Sequence, residues 1–464
     1  MVNATHPKIA ALVAAAALVT LATMSTARPL NAEAGLRTFA LKQEIATILA
    51  HSPQLRSPSE RSAFLSYAED MLRTASQPMP RWRYWMVASL IARRLDDPHT
   101  VVGPAILTPF TAWEEGAERQ AFPTLHLPRF PNASLRVLPI EFYWASDGLV
   151  AVPLPGTPTT VHRGDQVVRV GRLGVMAMQA RLDALISGNP YWVRWNAAQD
   201  LTFGYFLYWI GVVSPEGTVM MTLRRPDGAL YTVRLRLRDE RVLSLAASYN
   251  RARAAFLDTY VAPPGMAFTQ APFAWMVAPS GKYAVFWLRL CWNSPAYQAA
   301  VQAFFNEVAR RRVPAVILDL QENPGGDSSV VNPWLEHLPD RTVSVYGSTL
   351  QVPAAEPLYR GKTYVLTGPS TFSSAMMTAD ILYVAGEATL VGEATGESPS
   401  GPGEIVAVDT SGARLFGQVS TEVFRATGPQ AQNAALMPAV PVPLTVRDIQ
   451  ASVNPVARWL RSLR

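Results

Sequence analysis

The sequence predicts a multidomain α+β protein, and three observations carry that expectation. With 464 residues the chain is too long for one ordinary core, so two or three domains are expected. The pattern also changes along the chain: helical spacing first, then strand and hairpin signals, then strands and helices in alternation from Tyr283 onward. Hydrophobic residues make up 49% of the chain and charged ones 16%, which is globular composition with no room for extensive disorder. The formal charge of +6 is modest for this length and almost all of the positive charge is arginine. No basic block or aromatic-and-basic stripe stands out, so the charge reads as a solvated surface and no nucleic-acid partner is expected.

Residues 1–34 read as a secretion signal. Lys8 gives a positive start, Ile9 to Met24 is nearly all Ala, Val, Leu and Ile, and Ser25-Thr26-Ala27 offers a small-x-small cleavage site, with Ala32-Glu33-Ala34 as a later one. An uncleaved anchor is the alternative, since the run is close to the shortest that spans a bilayer. No other run matches it in length and apolarity, so an exported protein in the cell envelope or outside it is expected, with no stable membrane span after signal removal. Cys291 is the single cysteine, which excludes an intrachain disulfide and any metal site built on several cysteines.

Residues 35–100 form the first expected domain, a helical one. Phe39, Ile45, Ile48 and Leu49, then Phe64, Tyr67 and Met71-Leu72, then Trp85-Met86 to Ile91, recur at helical spacing. Prolines at 58, 78 and 80 punctuate three helices. Asp96-Asp97-Pro98 stops the last one and leaves His99 on the following loop.

Residues 101–262 form the second expected region. Up to residue 145 it is rich in Pro, Phe and Trp without period. Leu149 to Val152 and Asp165 to Val170 then read as strands, Gly171-Arg172 as a turn, Met176 to Ile186 as a helix, and Val219 to Arg224 with Leu230 to Leu237 as a hairpin across Asp227-Gly228. Tyr191 to Trp209 is an aromatic insertion within this unit.

The third region, 263–464, opens with a Pro-rich bridge to Gly281. Tyr283 to Leu290 reads as a strand and Ala296 to Arg312 as a helix with Tyr297, Val301, Phe304, Phe305 and Val308 on one face. Alternation continues at 315–320, 329–338, 363–367, 374–385 and 388–392, which implies right-handed crossovers, a largely parallel sheet, and ligands at the carboxyl ends of its strands. Two loops there carry chemistry. Val313 to Leu320 is an apolar run of buried-strand type that breaks into QENPGGDSS, where Gly325 and Gly326 allow the backbone amides to line an anion-binding concavity. Asp319, late in that strand, needs its carboxylate bonded, plausibly to loop amides. Val365 to Thr367 ends a second strand, and after Gly368-Pro369-Ser370 the serines 373 and 374 stand at a helix mouth, where a hydroxyl is held outward and the next amides face any negative charge beside it. Either serine also suits a plain helix cap.

Taken together, the strand–DLQENPGGDSS and strand–TFSSAMM pair resembles the core signature of the tail-specific, or C-terminal-processing, serine peptidases and their tricorn-core-like relatives. The resemblance covers roughly residues 280–450. It implies a crotonase-like αβ spiral core, Ser373 as nucleophile, and the amides of Gly326 (or Gly325) and Ser374 as oxyanion donors. Gln321 stands where the family usually has arginine. The segment HRGDQVVRVGRLGVMAMQARLDALI looks like the strand and helix of a PDZ-like domain, which takes a peptide on an open sheet edge. The expected activity is hydrolysis of protein or peptide substrates without metal or organic cofactor.

The general base departs from the best-known members, which use a lysine about two dozen residues after the serine. Here that segment reads VGEATGESPSGPGE, with Glu397 or Ser398 in the lysine's place, and Lys8, Lys42, Lys282 and Lys362 do not match. Serine still needs a proton acceptor. Tricorn-like relatives use histidine, and the Leu-Asp-Asp-Pro-His-Thr segment resembles theirs, which selects His99 over His126 and His162 and leaves His337 structural. For the orienting acid Glu393, Glu397 and Glu422 are candidates, and Glu422, in VSTEVF, sits where a tricorn-like Pro-Glu-Phe element would fall. The missing lysine leaves a rival: a catalytically inactive peptide- or ligand-binding protein on the same scaffold.

Overall fold

The structure is a computed structural model that describes residues 30–104, 134–154, 160–241, 272–410 and 415–463. The expected leader lies almost wholly outside those residues, as do His126 and about half of the Pro-rich bridge. No helix among the described residues is long and apolar enough to cross a membrane.

Three helices, Leu30–His51, Pro58–Ala75 and Arg81–Arg93, form where the spacing predicts them. A capping box at Ser57 and Glu60, followed by Pro58 in the first turn, fixes the start of the second. Leu41, Ile48, Phe64, Tyr84, Met86 and Ile91 are buried between the helices. Their other support comes from far along the chain. Val101–Pro104 pairs antiparallel with the strand Leu415–Phe424, which itself pairs with Gly401–Thr410, and the first helix packs on that hairpin. The loop bearing His99 is thereby held between the helices and the C-terminal part of the chain.

The middle of the chain folds as a mainly antiparallel sheet in the order Ile140–Ala145, Gly148–Pro153, Asp165–Val170, Thr218–Arg224, Leu230–Arg236, with the short strand Leu173–Gly174 beside the third. The helix predicted to run from Met176 to Ile186 occupies Val175–Asp183. The aromatic insertion becomes two further helices, Pro190–Asp200 and Gly204–Trp209.

The last region is a six-stranded sheet in the order Phe273–Val277, Ala284–Leu288, Ala315–Asp319, Lys362–Thr367, Thr389–Gly392, Val440–Pro441. Its first pair is antiparallel and the rest are parallel, so the predicted parallel character holds from Ala284 onward. The helix Pro295–Arg311 covers one face, burying Phe304 and Phe305 against Phe286 and Trp334 in edge-on and tilted contacts. The stretch 329–338 was expected as one helix. It is a 3₁₀ turn, Ser328–Val331, followed by a short helix, Asn332–Glu336, because the Asp327 side chain accepts from Ser329 N–H and tightens the turn. The two motif strands are direct neighbours, with Asp319 opposite Leu366, so both motif loops emerge side by side at the carboxyl end of the sheet.

Candidate active site

The glycine loop is built by the backbone around it. Asp319 Oδ1 accepts from Gln321 N–H at 3.0 Å, the local amide bond its burial requires. Asn323, fully buried, accepts from Gly325 N–H at 2.9 Å and donates to Leu288 O at 3.0 Å. Cys291 closes the other side: its N–H donates to Gly325 O at 2.9 Å, and its carbonyl accepts from Asp327 N–H at 2.7 Å. Between these clamps Gly326 has φ +131°, and a Cβ there would stand 2.2 Å from Cys291 O, so the position accepts glycine alone. Gly325 N–H is spent on Asn323, whereas among the described residues Gly326 N–H donates to no protein group.

Ser373 is the N-cap of the helix Ser374–Val384, and its backbone is held at φ +51°, ψ −131°. That conformation costs a non-glycine residue about 1–3 kcal/mol and persists only under surrounding restraint. The restraints are visible: Phe372 N–H donates to Asn323 O at 3.1 Å, Ser370 Oγ to Gln321 O at 2.7 Å, and Thr371 Oγ to Leu320 O at 2.8 Å. Every one ties the serine turn to the glycine loop. Ser374 completes the tie by donating its hydroxyl to Gly326 O at 2.5 Å. A Cβ on Gly325 would lie 3.1 Å from Ser373 Oγ, so the two loops meet at the serine hydroxyl. Ser374 N–H, in the first turn of its helix, has no intrahelical acceptor.

His99 reaches this cluster from the N-terminal helices. Asp97 accepts from His99 N–H at 2.8 Å and from Thr100 Oγ at 2.5 Å, and Thr100 Oγ in turn accepts from Ser420 N–H at 3.0 Å. The imidazole lies 4.5 Å from the Phe372 ring, one residue before Ser373, and its Nδ1 is 3.4 Å from Glu397 Oε1. Glu397 Oε2 accepts from Ser373 N–H at 2.5 Å. Glu397 thus stands between His99 and Ser373. Both groups are buried, and loss of water drives them apart: the imidazole falls below its ordinary pKa, against the pull of Asp97, and the carboxyl rises above its own. Tyr346 donates to Asp380 at 2.9 Å, and its phenol is raised by burial first and least by the Glu397 charge.

The remaining candidates lie elsewhere. Glu422 is exposed on its strand, opposite Gly403. Glu393 is half-buried, its carboxyl raised to about 7 by desolvation, and lines a cavity of about 290 Å³ with Pro369, Trp144 and Trp195. His162 is exposed beside Asp165, and His337 stacks on Phe305 with its Nδ1 3.0 Å from Pro357 O. Asn323 and Trp192 were not singled out from the sequence, and Cys291 was noted only as the single cysteine; the Asn-x-Gly spacing was the available signal for the first, and contacts between distant segments left none for the place of the others in the site.

Residues 288–425 match the family model of Peptidase family S41. The fold resembles the crystal structure of a CPAF mutant, with a TM-score of 0.63 and 14% identity over 93% of this chain and 96% of that one. Mature CPAF complexed with lactacystin gives 0.60 and 14% over 93% and 99%. The photosystem II D1 C-terminal processing protease aligns at 16% identity over 92% and 97%, with a TM-score of 0.43. At these identities the likeness is one of fold. No curated protein sequence matches the chain. A glycine-lined loop facing a strained serine, inside a region matched by a peptidase family model, defines a serine-type peptidase. The part of the chain that matches Peptidase family S41, residues 288–425, holds both motif loops.

Proposed function

We propose that the chain cleaves peptide bonds of protein or peptide substrates by acyl transfer, with Ser373 as nucleophile and a histidine, His99, as base. Ser373 Oγ attacks the carbonyl carbon, and the imidazole takes its proton and returns it to the leaving amine; water then hydrolyses the acyl-enzyme by the same route. Glu397, with Oε1 3.4 Å from Nδ1, is placed to orient the ring and, once ionised, to stabilise the imidazolium formed in each step, a role expectation had placed at Glu422. The developing oxyanion is received by the N–H groups of Gly326 and Ser374, because Gly325 N–H is already committed to Asn323. The middle sheet, with its helix Val175–Asp183, is read as a PDZ-like module that presents substrate, residues 263–464 as a crotonase-like core, and the chain as exported to the bacterial cell envelope or beyond.

The observation that carries this reading is the meeting of the two loops: a Cβ on Gly325 would meet Ser373 Oγ at 3.1 Å, and Ser374 Oγ is bonded to Gly326 O. An unfolded-protein digest tests it. Ser373→Ala should lose turnover on the order of a million-fold while keeping the fold. Glu397→Gln should lose at least about a hundredfold, and Glu422→Gln should retain wild-type rates. Equal losses from the two glutamate variants would reject Glu397 as the orienting acid.

A further inference from the structure

The aromatic insertion in the middle unit reaches into the candidate active site. Trp192, in the helix Pro190–Asp200, is nearly buried and stacks on Phe372 with ring centroids 4.1 Å apart and planes 16° from parallel. Phe372 in turn lies against His99 at 4.5 Å. A Cβ on Gly396 would stand 2.8 Å from Trp192 Cε3, so the indole edge also rests on the residue before Glu397. On its other side, a Cβ on Gly188 would lie 2.8 Å from Trp192 Cδ1 and 3.1 Å from Pro98 Cβ, which places the indole beside the residue before His99. One side chain therefore braces Phe372, Gly396 and, through Gly188, Pro98, which are the residues preceding Ser373, Glu397 and His99.

The indole is itself locked by Asn189. Its Oδ1 caps the helix by accepting from Tyr191 and Trp192 N–H at 3.1 and 2.9 Å, and its Nδ2 donates to Thr395 O at 3.0 Å and Ala434 O at 2.9 Å. Asn189 thus fixes the helix start and the Glu397 loop with the same amide group. Shape alone would explain a buried tryptophan, but not an N-cap whose second half is spent on the loop that carries the carboxylate.

We infer that Trp192, clamped by Asn189, is a positioning residue: it sets the spacing of Ser373, His99 and Glu397 and keeps water from the imidazole. This rests on the acyl-transfer reading above and makes the middle unit part of the catalytic assembly. Among the described residues, the charged and titratable groups that act on His99 and its partner are Asp97, Glu397 and, more weakly, Tyr346, and none is altered by changing Trp192.

The test is the rate at which a fluorophosphonate labels Ser373 across pH, with folding followed by near-ultraviolet circular dichroism. Wild type should label, and Trp192→Phe should stay within about threefold of it by retaining a stacked ring. Trp192→Ala should label about 10- to 100-fold more slowly, the size expected for misplacement of reacting groups by about 1 Å, with its acid limb moved to higher pH as water reaches His99. Trp195→Ala, which removes the next ring outward in the stack at 5.2 Å, should leave rate and limb unchanged. If Trp192→Ala does not fold, Asn189→Ala replaces it, with the indole kept and the clamp lost, and should show the same slowing and the same shift. A folded Trp192→Ala, or Asn189→Ala in its place, that labels at the wild-type rate and pH overturns the inference. Failure of wild type itself to label would instead refute the acyl-transfer reading.

Discussion

At the residue scale the chemistry turns on what burial does to three side chains. Ser373 is half-buried at a positive φ that a serine tolerates only under restraint, and the restraints all come from the glycine loop. His99 is buried beside a carboxyl that is also buried, and desolvation lowers the one and raises the other. In the role proposed for it, His99 must be neutral to accept a proton. The acid limb of kcat/KM should therefore fall below the ordinary histidine value of about 6.5, and a limb at or above 7 would contradict the burial seen here. Ser373 and His99 were candidates in the sequence through the resemblance of TFSSAMM and of Leu-Asp-Asp-Pro-His-Thr to a peptidase family, since a serine before a helix and a histidine on a loop are weak signals alone. The acid was not settled there, with Glu393, Glu397 and Glu422 all open. Only burial separates Glu397, inside the cluster, from Glu422, in solvent.

At the element scale the glycine loop and the N-terminal helices make separate predictions. Gly326→Ala would force a Cβ into Cys291 O at a backbone angle that L-residues avoid, so the loop must move. Loss of one aligned oxyanion donor predicts a fall in kcat of about 10²- to 10³-fold with KM little changed, read from steady-state kinetics on a peptide ester. In the helix Leu30–His51, Glu44 is fully buried, neither carboxyl oxygen has a partner among the described residues, and burial raises its pKa well above the usual value. Between the unfolded value of about 4.3 and that raised folded value, the native state holds a proton the unfolded chain has released. Stability should therefore fall as pH rises through this window. Glu44→Gln should flatten the dependence, which denaturant titrations at pH 4 and pH 8 would measure. The three helices and the alternation after Tyr283 were readable from period alone. The break at Ser328–Val331 was not, since it depends on one carboxylate accepting a bond two residues on.

At the scale of the whole molecule the site is assembled from segments almost three hundred residues apart. His99 is held by strand Val101–Pro104 against Leu415–Gln418, and by Ser420 N–H on Thr100 Oγ, so the helical layer and the C-terminal hairpin are one mechanical piece. Hydrogen exchange should show Val101–Pro104 and Leu415–Gln418 losing protection together; independent opening would contradict that coupling. None of this was visible in the chain as written. The hairpin Gly401–Phe424 starts at Gly-Pro-Gly, and its partner strand lies more than three hundred residues earlier, so no local window contains the pairing. The largely parallel pairing of the last sheet, by contrast, followed from the alternation of strands and helices.

The convergence of the two loops on Ser373 is tested most directly by a crystal structure of the chain inactivated with a fluorophosphonate. The expected result is a phosphorus–oxygen bond at Ser373 Oγ, the phosphoryl oxygen accepting from Gly326 and Ser374 N–H, and His99 Nε2 within hydrogen-bond reach of the adduct. A bond to any other side chain, or a phosphoryl oxygen turned away from those two amides, would contradict it.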